Sequence, residues 1–288
     1  AASYEKKYQY INSLAQLKIK SLDLQFDFYP ELRKAEYETK IILKNTSGIS
    51  ADSLFLNFES FIEIQSLKVE DKDLIPSKID DTFNLYTYKL PEIVRPGDSL
   101  ILFLKAIKLY EVHTQSGSNP QPDLMYNGSF GGIREYLPIV GYNDEKELKE
   151  NRKRADYQLP VLKNRLPEIS DEKALQEIYG MPDSDWVTGT LTIGTAADQE
   201  IIAPGIKERE WIKGERKFAQ FSVESSAPFC WYLGSAIMAS SQKEYGQLKY
   251  QILSSPKHVF NRAHFEIAIE QTFDFINQNL GEFPYEEI

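Results

Sequence analysis

Apolar and polar residues alternate along much of the first hundred positions, which is the period of a β-strand with one buried face. Leu22, Leu24, Phe26 and Phe28 are each separated by a polar residue, and the same alternation runs through 37–43. Four further strands are predicted between polar turns, at 54–58, 62–69, 83–90 and 100–106. Regular strand spacing of this kind is typical of antiparallel β-domains.

Strand-like patterns return in the second half of the chain after a more polar stretch. The predicted strands there are 186–193, 200–203, 217–223, 229–239 and 247–253. Together the two halves predict a mainly β fold: an antiparallel multi-sheet sandwich or saddle-like domain with a few short helices and a C-terminal helix.

Three segments carry helix signals. Asn143 can cap a helix reaching about residue 156, and Ser170 can cap a shorter one over 171–179. A third helix is predicted over 261–280, with Gly281 at its C-terminal end. Apolar residues recur on one face of it at spacings of three and four, namely Phe265, Ile269, Phe273, Ile276 and Leu280. We expect this stripe to fold back on the β domain or to pair with a second molecule, leaving Glu266 and Glu270 in water.

The stretch 126–143 separates the two strand-rich halves, and we refer to it as the central segment. Four glycines and a proline interrupt a series of large apolar residues in it. We interpret it as a packed structural pivot whose glycines form tight turns, and we predict that Phe130, Tyr136 and Leu137 are buried. Its candidate residues are Asn127, Gly128, Phe130, Tyr136, Leu137, Pro138, Gly141 and Tyr142.

The composition narrows the range of partners. The 288 residues carry a formal net charge of −10, with a pI near 5.0, which argues against nucleic acid because phosphate binding needs basic clusters. The single cysteine, Cys230, lies among aromatic residues and is predicted to be a buried, inert thiol. No apolar run approaches the roughly 20 residues of a membrane span, so we expect neither a transmembrane segment nor a signal peptide in this sequence.

The motifs of known chemistry are missing from the sequence. The three histidines, His113, His258 and His264, lack zinc-binding spacing, and there is no H-E-x-x-H. There is also no G-x-S-x-G nucleophile motif, and the glycines at 128–132 are not followed by the lysine of a phosphate-binding loop. We therefore assign no catalytic, cofactor-binding or metal residue, and expect no stoichiometric zinc in this chain.

Several stretches, in the same order along the chain, resemble one family. The segments 22–31 and 42–46, the central segment, and 198–218 are similar to the N-terminal β domain of M1-family zinc aminopeptidases. The version fused to bacterial ABC-2-type permeases is the most similar. The tail, from Ser255 through the helix to Tyr285, resembles the entry to the family's thermolysin-like catalytic domain. The resemblance implies an N-terminal arm at 1–16, a β domain at 17–255 with a helical insertion at about 143–182, and the first helical segment of a catalytic-type domain at 256–288.

What the resemblance implies for function depends on sequence beyond Ile288, where the family's zinc helix and exopeptidase loop would lie. The first hypothesis is a non-catalytic β domain that shapes the substrate cleft and docks the peptidase domain, with zinc held only there. The implied partners are the rest of its own polypeptide, including a permease region, and a peptide substrate; the implied location is the extracytoplasmic, soluble portion of a bacterial membrane protein. The alternative is an inactive peptidase-like scaffold in a transporter, and a third hypothesis is an unrelated carbohydrate- or peptide-binding sandwich.

Overall fold

The structure is a computed structural model, and it describes residues 1–110, 124–162, 168–172, 183–226, 230–283, 285 and 287. Over these residues the helices are α1 (Ala2–Tyr8), α2 (Asn151–Asp156) and α3 (Arg262–Asn279). The strands are β1 (Leu17–Tyr29), β2 (Lys34–Asn45), β3 (Ala51–Asn57), β4 (Ile62–Val69), β5 (Lys72–Asp73), β6 (Pro76–Asp80), β7 (Leu85–Val94), β8 (Ser99–Leu109), β9 (Ser129–Gly132), β10 (Ile139–Val140), β11 (Ser184–Ala196), β12 (Glu200–Ile202), β13 (Ile206–Lys213), β14 (Arg216–Ser226), β15 (Tyr232–Ala236), β16 (Ala239–Tyr245) and β17 (Leu248–Ser254).

The strands form four sheets, which confirms the mainly β fold class. The largest has eight strands in the order β13-β14-β11-β1-β2-β8-β4-β5. Two smaller sheets follow the orders β10-β3-β7-β6 and β12-β15-β9, and β16 pairs with β17 as a separate hairpin. One pair departs from the antiparallel prediction: β1 and β11 are parallel. The chain between them runs through β2 to β10, which is long enough for the crossover that a parallel pair requires.

The main core lies on the inward face of the large sheet. The alternation along β1 predicted this face correctly, since Leu22, Leu24, Phe26 and Phe28 are all buried. Residues of the smaller sheets, such as Leu56 and Leu233, belong to the same cluster, so the small sheets cover the inward face of the large one. The opposite face of the large sheet carries Asp23 and other exposed polar residues, and we call it the outer face.

A second, smaller core joins α1 to the four-stranded sheet. The ring of Tyr4 stacks on Tyr142 at 5.3 Å, and Tyr8 lies edge-on to Phe83. The buried members of this cluster are Tyr4, Tyr8, Ile11, Phe55, Leu85 and Tyr142. Aromatic contacts of this kind contribute beyond their buried area, so the first helix is an integral part of the domain.

The helix predicted from Asn143 is broken in the structure. The Asn143 side chain does accept the backbone N–H of Glu145, but it caps only a 3-10 turn at Asp144–Lys146. The chain is then extended at Glu147 and resumes as α2. Polar residues dominate 143–156, so a continuous helix there would bury little apolar surface to stabilise it. Most of the helix predicted over 171–179 lies outside the described residues.

The C-terminal helix forms where the sequence predicts it, and it packs on the β16–β17 hairpin. Phe273 meets the ring of Tyr245 edge-on at 6.1 Å, and Glu270 accepts a 3.0 Å hydrogen bond from the hydroxyl of Tyr250. Glu266 forms an ion pair with Lys243 of the hairpin. Both Glu266 and Glu270 therefore face the hairpin, and the prediction that they face water is wrong. Within the described part of the chain, no helix is both long enough and apolar enough to cross a bilayer.

Candidate functional site

The central segment connects the three-stranded sheet to the four-stranded sheet. This position explains why glycines and large apolar residues are concentrated in it. Its first part forms β9 against β15, and its last part forms β10 against β3. A 3-10 turn at Ile133–Glu135 lies between them. Gly141 has φ of +85°, the left-handed conformation expected of a turn glycine. The turn prediction is wrong for Gly131 and Gly132, which lie in β9.

Two of the three burial predictions for this segment are correct. Tyr136 and Leu137 are buried, and so are Pro138 and Tyr142. The Tyr136 ring packs edge-on against Phe26 with centroids 4.7 Å apart, and its carbonyl accepts a 2.5 Å hydrogen bond from the hydroxyl of Tyr37. These contacts fix the segment to the core of the large sheet.

Phe130 was predicted to be buried, and this is wrong: its side chain is 54% exposed. The reason is the two-residue period of β9, where Ser129 and Gly131 point inward and Phe130 points outward. The prediction that Cys230 is buried is also wrong: it lies in the turn before β15 and is exposed, while the adjacent Trp231 is buried.

The exposed ring of Phe130 is paired with that of Tyr232 on the neighbouring strand. The two rings are nearly parallel, at 9°, with centroids 5.2 Å apart, and Tyr232 is 46% exposed. We call this pair the aromatic platform. Each ring extends over a glycine of the opposite strand, because Phe130 pairs with Gly234 and Tyr232 pairs with Gly132 in the β9–β15 register. A Cβ at Gly234 would lie 3.0 Å from the Phe130 ring, so a side chain there would press against the ring.

Hydrogen bonds between buried polar groups stabilise the strands that carry the platform. Gln199 donates to the carbonyl of Tyr126 at 2.7 Å, and its side-chain oxygen accepts from Ser235, which also contacts Thr195. Ser129 closes the turn before β9 through its hydrogen bonds with the backbone of Met125. Buried polar groups that are paired in this way define one conformation.

A charged group lies at the other end of β9. Glu135 accepts a hydrogen bond from the backbone N–H of Gly132 at 2.9 Å, and Lys108 donates to the carbonyl of Glu135 at the same distance. The Lys108 ammonium lies 3.7 Å from the Glu135 carboxylate and 4.8 Å from the ring centroid of Tyr136. Lys108 is buried, and Oε2 of Glu135, the carboxylate oxygen nearest to its ammonium, is buried as well, although the Glu135 side chain as a whole is 35% exposed.

A second ion pair orients the segment between the two small sheets. Arg134 forms two hydrogen bonds to the carboxylate of Asp183, at 2.5 and 2.7 Å. Asp183 also accepts from the backbone N–H of Val140 at 2.9 Å. Sequence inspection missed this role, because the two residues are 49 positions apart and no local pattern relates them.

Burial in the core shifts the pKa values of several groups near the aromatic clusters. Burial raises the pKa of Tyr4 to about 12 and also raises that of Tyr37. Burial lowers the pKa of Lys146, whose ammonium donates to the carbonyl of Phe83. Desolvation inside the aromatic clusters explains these shifts, and none of these groups borders the exposed rings.

The described residues do not form a metal centre. They contain no cluster of three or more histidine, cysteine, aspartate or glutamate side chains that could hold an ion. His258 and His264 are exposed, and His113 lies outside the described residues. The side chains present therefore do not fit a zinc ion, and no chemical step can be assigned to one here.

Comparison with known proteins identifies the fold. No family model and no curated protein matches the sequence. Among solved structures, the M1 zinc metallopeptidase from Deinococcus radiodurans superposes on 95% of this chain with a TM-score of 0.64 at 13% identity. A point mutant of that enzyme bound to a Tyr-Ser-Ala substrate covers 96% of the chain, with a TM-score of 0.64 at 12% identity. A two-domain M1 zinc metallopeptidase mutant bound to L-tryptophan covers 95%, with a TM-score of 0.63 at 13% identity.

The superposition covers nearly all of this chain but only part of the length of each neighbour. The chain spans 56% of the length of each of these three structures. At such low identity the similarity establishes a shared fold, and the fold is the one found in M1 zinc metallopeptidases.

Proposed function

We propose that this chain is the non-catalytic N-terminal β domain of an M1-like zinc metallopeptidase, and that its aromatic platform forms part of the wall of the substrate cleft. The observation that carries the proposal is the coverage: nearly the whole chain superposes on these peptidases, yet it accounts for about half of their length. We place the zinc of such a peptidase in the catalytic-type remainder of the polypeptide; the described residues of this chain contain no cluster of side chains that could hold it.

The C-terminal helix supports a docking role. Only one side of α3 rests on the hairpin, and Phe265, Phe275 and Leu280 are 58%, 59% and 76% exposed. Phe260, just before the helix, is 74% exposed. Large apolar side chains concentrated in one element are typical of an interface. The occupant we propose is the catalytic-type remainder of the same polypeptide.

The platform supports a role in substrate contact. Two rigid, exposed rings on glycine-containing strands provide a flat apolar surface, and the Glu135 carboxylate lies at the end of the same strand. Such a surface suits a large apolar side chain of a peptide. The two aromatic side chains have few rotatable bonds, so little conformational entropy is lost when they bind. The solved M1 structures include complexes with L-tryptophan and with Tyr-Ser-Ala, which belong to those proteins.

The proposal is tested on the natural gene product that extends beyond Ile288. Amide hydrogen exchange in α3 should slow in the longer protein relative to this chain, because the exposed face becomes covered. If the longer protein cleaves aminoacyl reporters, Phe130→Ala should lower kcat/KM for a large apolar residue by about tenfold. Tyr157→Ala is the matched control, since Tyr157 is also 54% exposed but lies near α2.

The same experiment separates the peptidase hypothesis from the inactive scaffold of a transporter. Protection of α3 together with an H-E-x-x-H motif and reporter cleavage supports the peptidase. Protection of α3 without the motif or cleavage supports the scaffold. Unchanged exchange of α3 in the longer protein would contradict the docking role in both.

A further inference from the structure

The outer face of the eight-stranded sheet contains a groove that is separate from the platform. It has a volume of about 570 Å³ and crosses β14, β11, β1, β2 and β8. The cross-strand register arranges its side chains in two rows. One row is Thr190, Asp23, Lys40 and Phe103; the next is Gln220, Thr192, Gln25, Glu38 and Lys105. We call this feature the outer groove.

The charges of the outer groove cancel. Its charged side chains are two acids, Asp23 and Glu38, and two bases, Lys40 and Lys105. Glu38 and Lys105 already form an ion pair with each other. Asp23 and Lys40 lie opposite each other in the β1–β2 register. A ligand with a net charge would meet like charge as readily as opposite charge, so charge complementarity favours a neutral ligand.

The remaining lining consists of groups that both donate and accept hydrogen bonds. Gln25 and Gln220 provide amides, and Thr190 and Thr192 provide hydroxyls, all on the solvent side of the sheet. Phe103 is 39% exposed and places an aromatic ring at the β8 end of the row. Neutral hydrogen-bonding groups beside an aromatic ring match a ligand that carries many hydroxyls and also an apolar face.

A sheet face and a sheet edge recognise different ligands. Extended peptides bind sheets mainly by adding a strand to an edge, where backbone groups are free. In the outer groove the backbone groups of β1, β2, β8 and β11 are committed to neighbouring strands on both sides. Recognition there can use only side chains, which disfavours an extended peptide as the ligand.

We propose that the outer groove binds a neutral oligosaccharide, with Thr190, Thr192, Gln25 and Gln220 bonding to its hydroxyls and Phe103 stacking on a sugar ring. Strands in a sheet are spaced about 4.8 Å apart, so the strands from β11 to β8 alone offer a path roughly as long as three sugar units. This site is independent of the proposed cleft: the groove lies on the outer face, whereas Phe130 and Tyr232 belong to the three-stranded sheet.

The test is calorimetric titration of this chain with maltohexaose, cellohexaose and chitohexaose, each to about 10 mM. At least one neutral hexasaccharide should bind, and an anionic hexagalacturonate should bind at least tenfold more weakly. Phe103→Ala and the double variant Gln25→Ala/Thr192→Ala should each weaken binding about tenfold. Ser241→Ala/Gln242→Ala on the β16 strand of the hairpin is the control and should leave binding unchanged.

Either of two results would overturn the proposal. One is the absence of heat with all three neutral hexasaccharides. The other is binding that the groove variants leave unchanged while circular dichroism shows that they are folded. Should Phe103→Ala fail to fold, the double variant decides alone, because Gln25 and Thr192 lie outside the core.

Discussion

Arg154 of α2 and Glu5 of α1 form a completely buried ion pair that joins residues 149 positions apart. The two guanidinium nitrogens donate to the two carboxylate oxygens at 2.5 and 2.7 Å, and the side chains are 2% and 0% exposed. The guanidinium also donates to the carbonyls of Leu148 and Pro160, so its charge is well solvated by protein groups. This pair fixes the first helix against the segment that follows the central segment.

Removing one partner of this pair should be strongly destabilising. Arg154→Met leaves the Glu5 carboxylate buried without its counter-charge, and we expect the free energy of unfolding to fall by about 3–5 kcal/mol. Denaturant unfolding followed by tyrosine fluorescence measures it. The double variant Glu5→Leu/Arg154→Met should regain most of the loss, since no unpaired charge remains.

The matched control is the exposed pair on the same helix. Lys153 and Glu150 are 57% and 64% exposed, so water screens their attraction and Lys153→Ala should lower the free energy of unfolding far less than Arg154→Met does. Equal effects of Arg154→Met and Lys153→Ala would show that the buried geometry contributes nothing.

Phe130→Ala should have only a small effect on the stability of the folded chain. Because the ring is exposed and stacks on one neighbour, we expect a loss of about 0.5–1.5 kcal/mol. Phe28→Ala, at a fully buried position of β1, should cost about 3–5 kcal/mol. Thermal unfolding of both variants makes the comparison, and a large loss at Phe130 would mean that the platform is part of the core.

Gly189→Ala should destabilise the centre of the large sheet. A Cβ at Gly189 would lie 2.1 Å from the carbonyl oxygen of Leu22 and 3.0 Å from the ring of Trp231. Backbone atoms of a central strand cannot move aside easily, so we expect a loss of more than about 2 kcal/mol. Gly48→Ala has no atom within 4 Å of the added carbon and should stay within about 1 kcal/mol in the same denaturant titration.

Asp80 should make stability depend on acid pH. Hydrogen bonds from Lys7 and then Tyr8 lower the pKa of this carboxyl to about 2, from an ordinary value of 3.8. A lowered pKa in the folded state stabilises the protein above the unfolded value, and this contribution is lost as the pH falls from about 4 to about 2. Asp80→Asn should therefore flatten the pH dependence of the unfolding free energy in that window. Asp71→Asn, at an exposed turn position, is the control and should leave the slope as it is.

The sequence predicted the strands whose two faces differ. Along β1 and β2 the core face is apolar and the other face is polar, so the two-residue period was readable without any partner. β13 was missed, because it is an edge strand with both faces in contact with solvent and its sequence does not alternate in hydrophobicity. The stretch 229–239 was predicted as one strand, whereas the structure divides it between β15 and the start of β16, which belong to different sheets.

The candidate site residues also divide into those whose burial the sequence predicted and those whose exposure only the tertiary structure shows. Tyr136 and Leu137 could be predicted as buried because large apolar residues in a glycine-rich segment usually pack inward. The exposure of Phe130 could not, since it depends on β9 pairing with β15 some hundred residues later, which sets the direction of each side chain. The exposed face of α3 and the outer groove also appear only once the sheets are assembled.

The sequence by itself determined the local elements and the class of fold: strand periods, the turn glycine at position 141, and the amphipathic C-terminal helix are all encoded within a few neighbouring residues. The tertiary structure decided which elements meet. The parallel pairing of β1 with β11, the Arg134–Asp183 and Arg154–Glu5 pairs, and the stacking of Phe130 on Tyr232 each join distant parts of the chain. Their partners are selected by global packing and by the need to pair buried charges, and no local pattern carries that information.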